Sequence, residues 1–486
     1  MKTLYIISLL VAIAIGTYFL ISKNGQQQSA QSIAVIPFEN ISSEPGQELL
    51  IDGVTDAIQN SLAQQEGIKV TARASSFKFR DTNSDVDEIR KKLGVQAVVE
   101  GAVSIKGDQI QIRVQLINTE DKMLLWSSKY EGKIEEIFSM QDKIANKIAA
   151  ALVPSSRRII TQRTSNKEAY ELYLKGRSHW NLRTRKDLLT GVEAFEQAIE
   201  KDSEFGAAYA GLADCYTALG YSSFLSPKQS FPKAFDAATK ALQLDSALAE
   251  AHATLGYYKF YYEWDWAEAE QEFRRAISLN PNHELVYDWY GYYLTAMQRY
   301  DEAQVVFAKA VSLDPLSAAI LTDMGFTLYY SKQYDEAEDA LRAALELNPN
   351  YPLGRIWLGR VYQMRNVFDQ SIDQYKKALV LTSGWPVALS QIGNVYGVSG
   401  NYEQARIILD SLNSFAPEIF VTSYGVALVH AGLGDKGKMY EWLNKAYDER
   451  SHWLVWLKTD PRWDAFRSDA QFAELLARIG LPETKN

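Results

Sequence analysis

The sequence predicts a small mixed-sheet α/β domain followed by an all-α superhelical solenoid, with an N-terminal transmembrane helix in front of both. Three observations lead to this prediction: an uncharged apolar run near the start, alternating strand and helix patterns to about residue 154, and a 34-residue repeat in the second half. The predicted boundaries are an anchor and tether at 1–30, the α/β domain at 31–154, a linker at 155–166, the array at 167–451 and a C-terminal helical cap at 452–486.

The apolar run at residues 4–22 contains no charged side chain and is just long enough, as an α-helix, to cross a bilayer. Signal-peptide cores are shorter, about 7–15 residues, and no cleavage site with small residues follows, so an uncleaved anchor is favoured. Lys2 precedes the run and Lys23 follows it, which only slightly favours a cytoplasmic N-terminus. We expect a single-pass protein of a bacterial inner membrane with most of the chain in the periplasm.

The α/β domain is predicted because the spacing of apolar residues alternates along the chain between that of a strand and that of a helix. A buried strand breaks off at Pro37, and a helical spacing of apolar residues follows at 48–63. A second helix at 85–93 ends at Gly94, and two strands meet at a turn at 106–108. A further strand and a long amphipathic helix complete a layer of helices on a mixed sheet.

The second half repeats every 34 residues. Prolines recur at this step at Pro281, Pro315, Pro349 and Pro417, with Ser383 at the one position between the last two. Glycines recur at Gly291, Gly325, Gly359 and Gly393. The period and the residue types match the tetratricopeptide repeat (TPR), a helix–turn–helix unit, and we count about eight repeats. Within a unit, Gly291 is expected to let two helices touch, Phe307 to fill the gap between them, and Pro315 to end the second helix.

Stacked repeats of this kind expose a concave surface built mainly from the first helix of each pair. The register places an aromatic stripe there, and tyrosine and arginine suit recognition of an extended or helical peptide. For any single aromatic residue, packing between helices is an equally good interpretation. The predicted partner-binding groove consists of Tyr257, Phe260, Tyr261, Tyr292, Phe326, Tyr329, Tyr330, Arg360 and Asn394.

Several stretches resemble a known domain combination. The segments IAVIPFENIS, DGVTDAI, LGVQAVVEGAV, IRVQLIN and IFSMQDKIANKIAAAL are similar to the TolB amino-terminal-like domain that precedes TPR arrays, and WLVWLKTDPRWDAFRSDAQF recurs with it. Such pairs occur in membrane-tethered bacterial winged-helix regulators and adenylate/guanylate cyclase-associated proteins. The resemblance implies a sensor or scaffold half, expected here without the output domain, and it brings no catalytic residues.

No pattern of residues indicates chemistry. The loop ENISSEPGQE lacks the glycine spacing of a phosphate-binding loop, and the histidines show no metal-binding spacing. Asp52 and Asp56 share a helix face, which we interpret as a solvated helix edge. Ser75 and Ser76 are expected to cap or turn the chain, and Cys215 to be a core residue. We expect no catalytic residues, no cofactor and no metal.

The net charge of −9 and the pI of about 5.3 do not indicate the basic surface that binds nucleic acid. The favoured function is a non-enzymatic, membrane-anchored scaffold or adaptor that binds a protein or peptide partner in the concave groove. The alternative is an envelope sensor or receptor subunit whose α/β domain binds a ligand and couples to a separate signalling or transcriptional output protein. The sequence leaves the oligomeric state open.

Overall fold

The structure, a computed structural model, describes residues 31–42, 47–80, 85–153, 164 and 166–481. The predicted membrane anchor at 4–22 and most of the predicted linker at 155–166 lie outside these residues. No helix in the described ranges is both long enough and apolar enough to span a bilayer.

The α/β domain contains one mixed sheet, as predicted. Its spatial order is β3-β1-β4-β5-β6, with the short β2 beside β4, and the pairs around β1 are parallel whereas β4, β5 and β6 are antiparallel. The strands are β1 Gln31–Val35, β2 Glu39–Asn40, β3 Ile68–Val70, β4 Ala97–Lys106, β5 Gln109–Asn118 and β6 Leu124–Lys133.

Helices cover both faces of the sheet near β1, which explains why this strand is apolar on both sides. Ile33 and Val35 pack with the residues of α1 and α4, whereas Ala34 and Ile36 pack on the side of α3. The helix α3 ends at Gly94, which has a φ of 65°, a conformation that a glycine adopts without strain. The helices are α1 Glu48–Ala63, α2 Arg73–Ser76, α3 Val86–Leu93 and α4 Ile137–Leu152.

Eight antiparallel helix pairs follow in the described chain. Each pair consists of two consecutive helices, and most turns between the two helices are short. In order, the helices are α5 Lys167–Leu182, α6 Arg185–Lys201, α7 Gly206–Tyr221, α8 Pro227–Leu244, α9 Ala249–Tyr258, α10 Trp266–Leu279, α11 Glu284–Ala296, α12 Tyr300–Leu313, α13 Ala318–Tyr330, α14 Tyr334–Leu347, α15 Pro352–Met364, α16 Phe368–Leu381, α17 Pro386–Val398, α18 Tyr402–Asn413, α19 Ser423–Gly432 and α20 Lys436–Asp448.

Glycine allows the two helices of a pair to touch, as the period predicts. A Cβ added at Gly291 would lie 2.5 Å from the ring of Phe307, and one added at Gly359 would lie 2.5 Å from the ring of Tyr375. Both rings are fully buried. The aromatic side chain of the second helix therefore occupies the space that the missing side chain leaves.

The array closes the β3 edge of the sheet. Asn282, in the loop between α10 and α11, donates from Nδ2 to the carbonyl oxygens of Ala63 and Ile68, both at 2.8 Å. Its Oδ1 accepts from the backbone N–H of Val70 at 3.4 Å. One amide side chain thus satisfies three backbone groups beside an edge strand.

The next loop of the array makes a second contact with the α/β domain. The Ser75 hydroxyl donates to Asp314 at 2.5 Å and accepts from the backbone N–H of Leu316 at 2.8 Å. Burial raises the pKa of Asp314 to about 6. The prediction that Ser75 only caps or turns the chain therefore missed its role between the two domains.

The C-terminal segment does more than cover the last helix pair. It contains two 3-10 helices, His452–Trp456 and Pro461–Phe466, and the helix α21 Ala470–Ile479. Its aromatic residues join the same buried cluster as those of α8, α9, α11 and α13. At its end, the Gly480 carbonyl accepts from the indole N–H of Trp266 at 2.7 Å, on the third pair. The segment therefore fills the interior of the superhelix.

Candidate functional site

The candidate site is the concave surface of the array, and it is occupied. All nine residues of the predicted groove are buried, each with at most 4% of its surface exposed. Six of them contact the C-terminal segment: Phe260, Tyr261, Phe326, Tyr329, Tyr330 and Arg360. The surface that the sequence predicts as a partner-binding groove holds a piece of the same chain.

Trp456 is the central contact of this segment. Its ring stacks on Tyr330 with centroids 5.0 Å apart and an interplanar angle of 10°. The edge of Phe326 meets it at 4.8 Å, and Phe260 lies 6.1 Å away at nearly a right angle. Stacked and edge-to-face pairs of this kind stabilise by about 0.5–1.5 kcal/mol each beyond the burial of area.

Two neighbours of Trp456 extend the contact in both directions along the groove. His452 lies among Tyr221, Tyr261 and Phe231, with ring centroids 5.7 to 6.4 Å away. Burial in this aromatic surrounding lowers the pKa of His452 to about 3. The imidazole is therefore neutral at physiological pH.

Trp453 follows His452 and meets a cation. The guanidinium of Arg360 lies 5.4 Å from the ring of Trp453 and 4.1 Å from that of Trp357. Arg360 also donates from Nε to Gln391 at 3.2 Å. The arginine of the predicted stripe thus stacks between an array tryptophan and a segment tryptophan.

A buried ion pair fixes the next turn of the segment. Asp460 and Arg462 are both almost completely buried, with N–O contacts down to 2.5 Å. Tyr329 donates to Asp460 at 3.3 Å, and Arg462 donates to Gln391 at 2.6 Å. Burial alone would raise the pKa of Asp460, but the adjacent Arg462 holds it below the ordinary value. The pair is satisfied on both sides by groups of the array.

Three predicted groove residues pack within the array instead. Tyr257 lies 4.8 Å from Trp289, and Tyr292 lies 5.2 Å from Phe326. Asn394 donates to the carbonyl of Leu428 at 2.7 Å. For these three, packing between helices is the interpretation that the geometry supports.

One buried acid pair in the array was missed at the level of sequence. Asp288 and Asp323 lie on the first helices of neighbouring pairs, one 34-residue step and one residue apart, and hydrogen-bond each other. Burial raises the pKa of Asp323 to about 7, and burial together with the Asp323 charge raises that of Asp288. The charge on either carboxyl disfavours the charge on the other. A near-repeat of aspartate at the array period was the available signal.

The other carboxylate pair is not the solvated helix edge that the sequence predicts. Arg73 lies between Asp52 and Asp56, 3.8 Å from the first and 2.7 Å from the second, and Arg80 reaches Asp52 at 2.5 Å. Burial raises the pKa of Asp56 in spite of Arg73. The arginines follow the next strand, which brings them back over α1, so the acids hold a structural ion-pair network.

The described residues contain no group of three or more metal-ligating side chains that could hold an ion. A surface pocket of about 370 Å³ lies between the starts of α8 and α19 and the end of α20, with Lys228 and Lys445 in its wall. The Glu449 carboxylate already accepts from the backbone N–H and the hydroxyl of Ser423 at the start of α19. Cys215 is buried, as predicted.

Two family models match separate parts of the chain. The model of the HilA/YgeH-like transcriptional regulator, second domain, matches residues 28–147. The tetratricopeptide repeat model matches residues 294–356, which confirms the TPR prediction for the array. The TolB-like expectation for the α/β domain is not confirmed, because the family that matches it is the HilA/YgeH-like one.

Two curated relatives share part of this architecture. A putative adenylate cyclase 3 of Rhizobium meliloti (strain 1021) is 28% identical over 243 residues, which are 47% of this chain and 40% of that protein. The transcriptional regulator HilA of Salmonella typhimurium is 22% identical over 289 residues, 58% of this chain and 51% of that protein. The chain thus spans about half the length of these relatives or less.

Solved structures of two other proteins align with part of the chain. PilF of Pseudomonas aeruginosa covers 48% of this chain with 97% of its own, at 19% identity and a TM-score of 0.33. PilW, a type IV pilus biogenesis factor, covers 43% of this chain with 96% of its own, at 20% identity and a TM-score of 0.34.

Proposed function

We propose that the chain is a non-enzymatic TPR scaffold that binds an aromatic-rich segment of a protein partner on its concave surface. In the absence of the partner, its own C-terminal segment occupies that surface. The packing of the Trp456 ring against Tyr330, Phe326 and Phe260 supports this proposal. A groove that accommodates one aromatic peptide segment in cis has the shape and chemistry to accommodate another in trans.

The internal segment also indicates the kind of ligand. Its sequence HWLVW places three aromatic rings within five residues, and each ring meets an aromatic or cationic group of the array. Tyrosine, tryptophan and arginine dominate the energetics of protein interfaces, and the two aromatic side chains bury much area with few rotatable bonds. We therefore expect the partner to present tryptophan or phenylalanine at a similar spacing.

A peptide with the sequence of residues 451–466 tests this proposal. We expect the labelled peptide to bind weakly or not at all to the wild-type chain, because the site is filled. Trp456→Ala and the milder Trp456→Leu weaken the internal segment, so both variants should bind the peptide, and the further change Tyr330→Ala should abolish that binding. Fluorescence anisotropy gives the affinity, and circular dichroism verifies the fold of each variant.

Trp442 provides the matched control, since it is a half-buried tryptophan of α20 in the wall of the surface pocket. Trp442→Ala should leave peptide binding at the wild-type level. If the folded Trp456 variants bind no more peptide than Trp442→Ala does, the groove does not exchange its occupant and the proposal fails.

Membrane anchoring is part of the proposal, supported by the uncharged run at 4–22. The scaffold would then be a single-pass protein of the inner membrane with its folded part in the periplasm. Protease added to intact spheroplasts should digest the folded part while a cytoplasmic marker survives. Full protection of both would place the chain on the other side.

The similarity to regulators favours a second candidate function. The α/β domain matches the second domain of HilA/YgeH-like transcriptional regulators, and one relative is a putative adenylate cyclase. The chain would then be a sensor or receptor subunit whose α/β domain takes a ligand and couples to a separate output protein. A thermal-shift screen of the full chain against metabolites tests this: stabilisation by a compound supports it, and none argues against it.

A further inference from the structure

The two edge strands of the sheet, β3 and β6, differ in whether other parts of the chain pair with their outer backbone groups. At the β3 edge, Asn282 bonds the carbonyl of Ile68 and the N–H of Val70. The Leu313 carbonyl accepts from the backbone N–H of Ala72 at 2.7 Å. At the other edge, β6 runs for ten residues from Leu124 to Lys133 and pairs only with β5 within the described chain. An uncovered edge strand of this length is a template for pairing with another strand.

The register shows which backbone groups β6 presents outward. Ile134 donates its N–H to the carbonyl of Asp108, so the even-numbered residues from Trp126 to Gly132 bond β5. The odd-numbered residues Ser127, Lys129, Glu131 and Lys133 therefore direct their backbone groups away from the sheet. Among these groups, the N–H of Lys133 is already bonded to the Glu136 carboxylate at 3.1 Å.

We propose that β6 pairs antiparallel with β6 of a second copy of this chain, about a two-fold axis through Tyr130. In this register Lys129 of each copy lies directly opposite Glu131 of the other, and both have outward backbone groups, so the pair exchanges two main-chain hydrogen bonds. Both side chains are exposed and lie on the same face of the sheet, where they form an ion pair with each other at 2.5 Å within one copy. Opposite charges directly across an antiparallel pair are stabilising.

Charge selects this register over its neighbours. An axis through Lys129 would place two lysines opposite each other, and an axis through Glu131 would do the same with two glutamates, which is destabilising. An axis through Ser128 would place Glu131 opposite Leu125. An axis through Gly132 would leave only the last few residues of the strand to pair, because β6 ends at Lys133.

The apolar start of β6 is consistent with this arrangement. Met123, Leu124 and Leu125 have 64%, 55% and 47% of their surfaces exposed, an unusual run for a monomer. In the two-fold pairing, Leu125 comes opposite residue 135 of the second copy, in the 3-10 turn Ile134–Glu136 that precedes its α4. Half-buried Phe138 follows in the first turn of α4. The inference concerns the α/β domain and stands apart from the proposed function of the groove.

A charge swap tests the register in the full chain, purified in a mild detergent. We expect the wild type to sediment as a concentration-dependent dimer. Lys129→Glu places like charges opposite each other twice and should weaken dimerisation about ten-fold. The double variant Lys129→Glu/Glu131→Lys restores opposite charges and should return the affinity to within about three-fold of the wild type. A monomeric wild type, or a double variant as weak as the single one, would overturn the proposal.

Cysteine cross-linking tests the axis independently. Two copies of Tyr130→Cys would have Cα atoms about 4.5 Å apart in a non-hydrogen-bonded pair, within the range of a disulfide. The matched control Ser127→Cys separates the two thiols by about 20 Å. The only native cysteine, Cys215, is buried. We expect a disulfide dimer from Tyr130→Cys alone; a dimer from Ser127→Cys alone, or from neither, contradicts the two-fold pairing.

Discussion

His452 lies in the groove without a charged neighbour. The rings around it belong to Tyr221, Phe231, Tyr261 and Trp453, and its pKa of about 3 results from burial. The unfolded chain takes up a proton on this side chain below about pH 6.5, whereas the folded chain does not. The free energy of unfolding therefore decreases as the pH falls below 6.5.

We expect acidification from pH 7 to pH 5 to remove about 2 kcal/mol of stability through His452, at about 1.4 kcal/mol per pH unit below 6.5. His452→Phe keeps an aromatic ring in the same surrounding and removes the titration. Urea unfolding of both proteins at the two pH values measures the difference. If the variant loses as much stability between pH 7 and pH 5 as the wild type, the imidazole does not titrate between the two states.

Gly291 illustrates a residue whose role follows from the sequence. Gly291→Ala adds a methyl group 2.5 Å from the Phe307 ring, and we expect a loss of about 1–3 kcal/mol from overpacking. The control is Gly437→Ala, at an exposed position of α20 where the new methyl group meets only the Asp435 carboxylate, at 3.8 Å. Thermal unfolding should show a lower Tm for the first variant and an equal or higher Tm for the second.

A Gly291→Ala protein as stable as Gly437→Ala would contradict the close approach of α11 and α12. The period of 34 residues was enough to predict this contact, because each repeat supplies the same pair of positions. The aromatic surroundings of His452 could not be predicted in this way. They depend on residues of the second and third pairs, more than 190 positions earlier in the chain.

At the scale of elements, the loops between helix pairs differ although their sequences repeat. Asn282 and Asn350 occupy the same repeat position, two steps of 34 apart, in the sequences NPNH and NPNY. Each donates its backbone N–H to the Oδ1 of the asparagine two residues earlier, Asn280 or Asn348, at 3.1 Å. Only Asn282 is buried against the sheet, whereas Asn350 is exposed. Periodicity predicts the loop but not which loop meets the α/β domain.

Asn282→Ala should therefore be far more damaging than Asn350→Ala. Removal of the Asn282 amide leaves one carbonyl and one N–H of β3 and the carbonyl at the end of α1 without their partner, and we expect a loss of about 2–4 kcal/mol. Asn350→Ala should stay within about 0.5 kcal/mol of the wild type. Urea unfolding followed by circular dichroism gives both values, and equal effects would show that the loop does not hold the sheet.

At the scale of the whole molecule, the array and the α/β domain form one packed body held at two loops and along α5. The sequence was sufficient for the mixed sheet, for the end of α3 at Gly94 and for the TPR array, because each depends on local patterns. It was not sufficient for the occupant of the groove. Tyr330 and Trp456 are 126 positions apart, and nothing in the local pattern of either predicts that their rings stack.

The central claim is that the C-terminal segment fills the groove and can leave it while the array stays folded. Hydrogen–deuterium exchange of the full chain measures both properties, because the amides of Leu454, Leu457 and Asp460 donate to backbone carbonyls within the segment. We predict that they are protected in the native state and exchange through an opening of lower free energy than the amides of α13 and α15. Exchange as fast as in an unfolded chain would show an empty groove, and exchange only on global unfolding would show that the segment cannot be released.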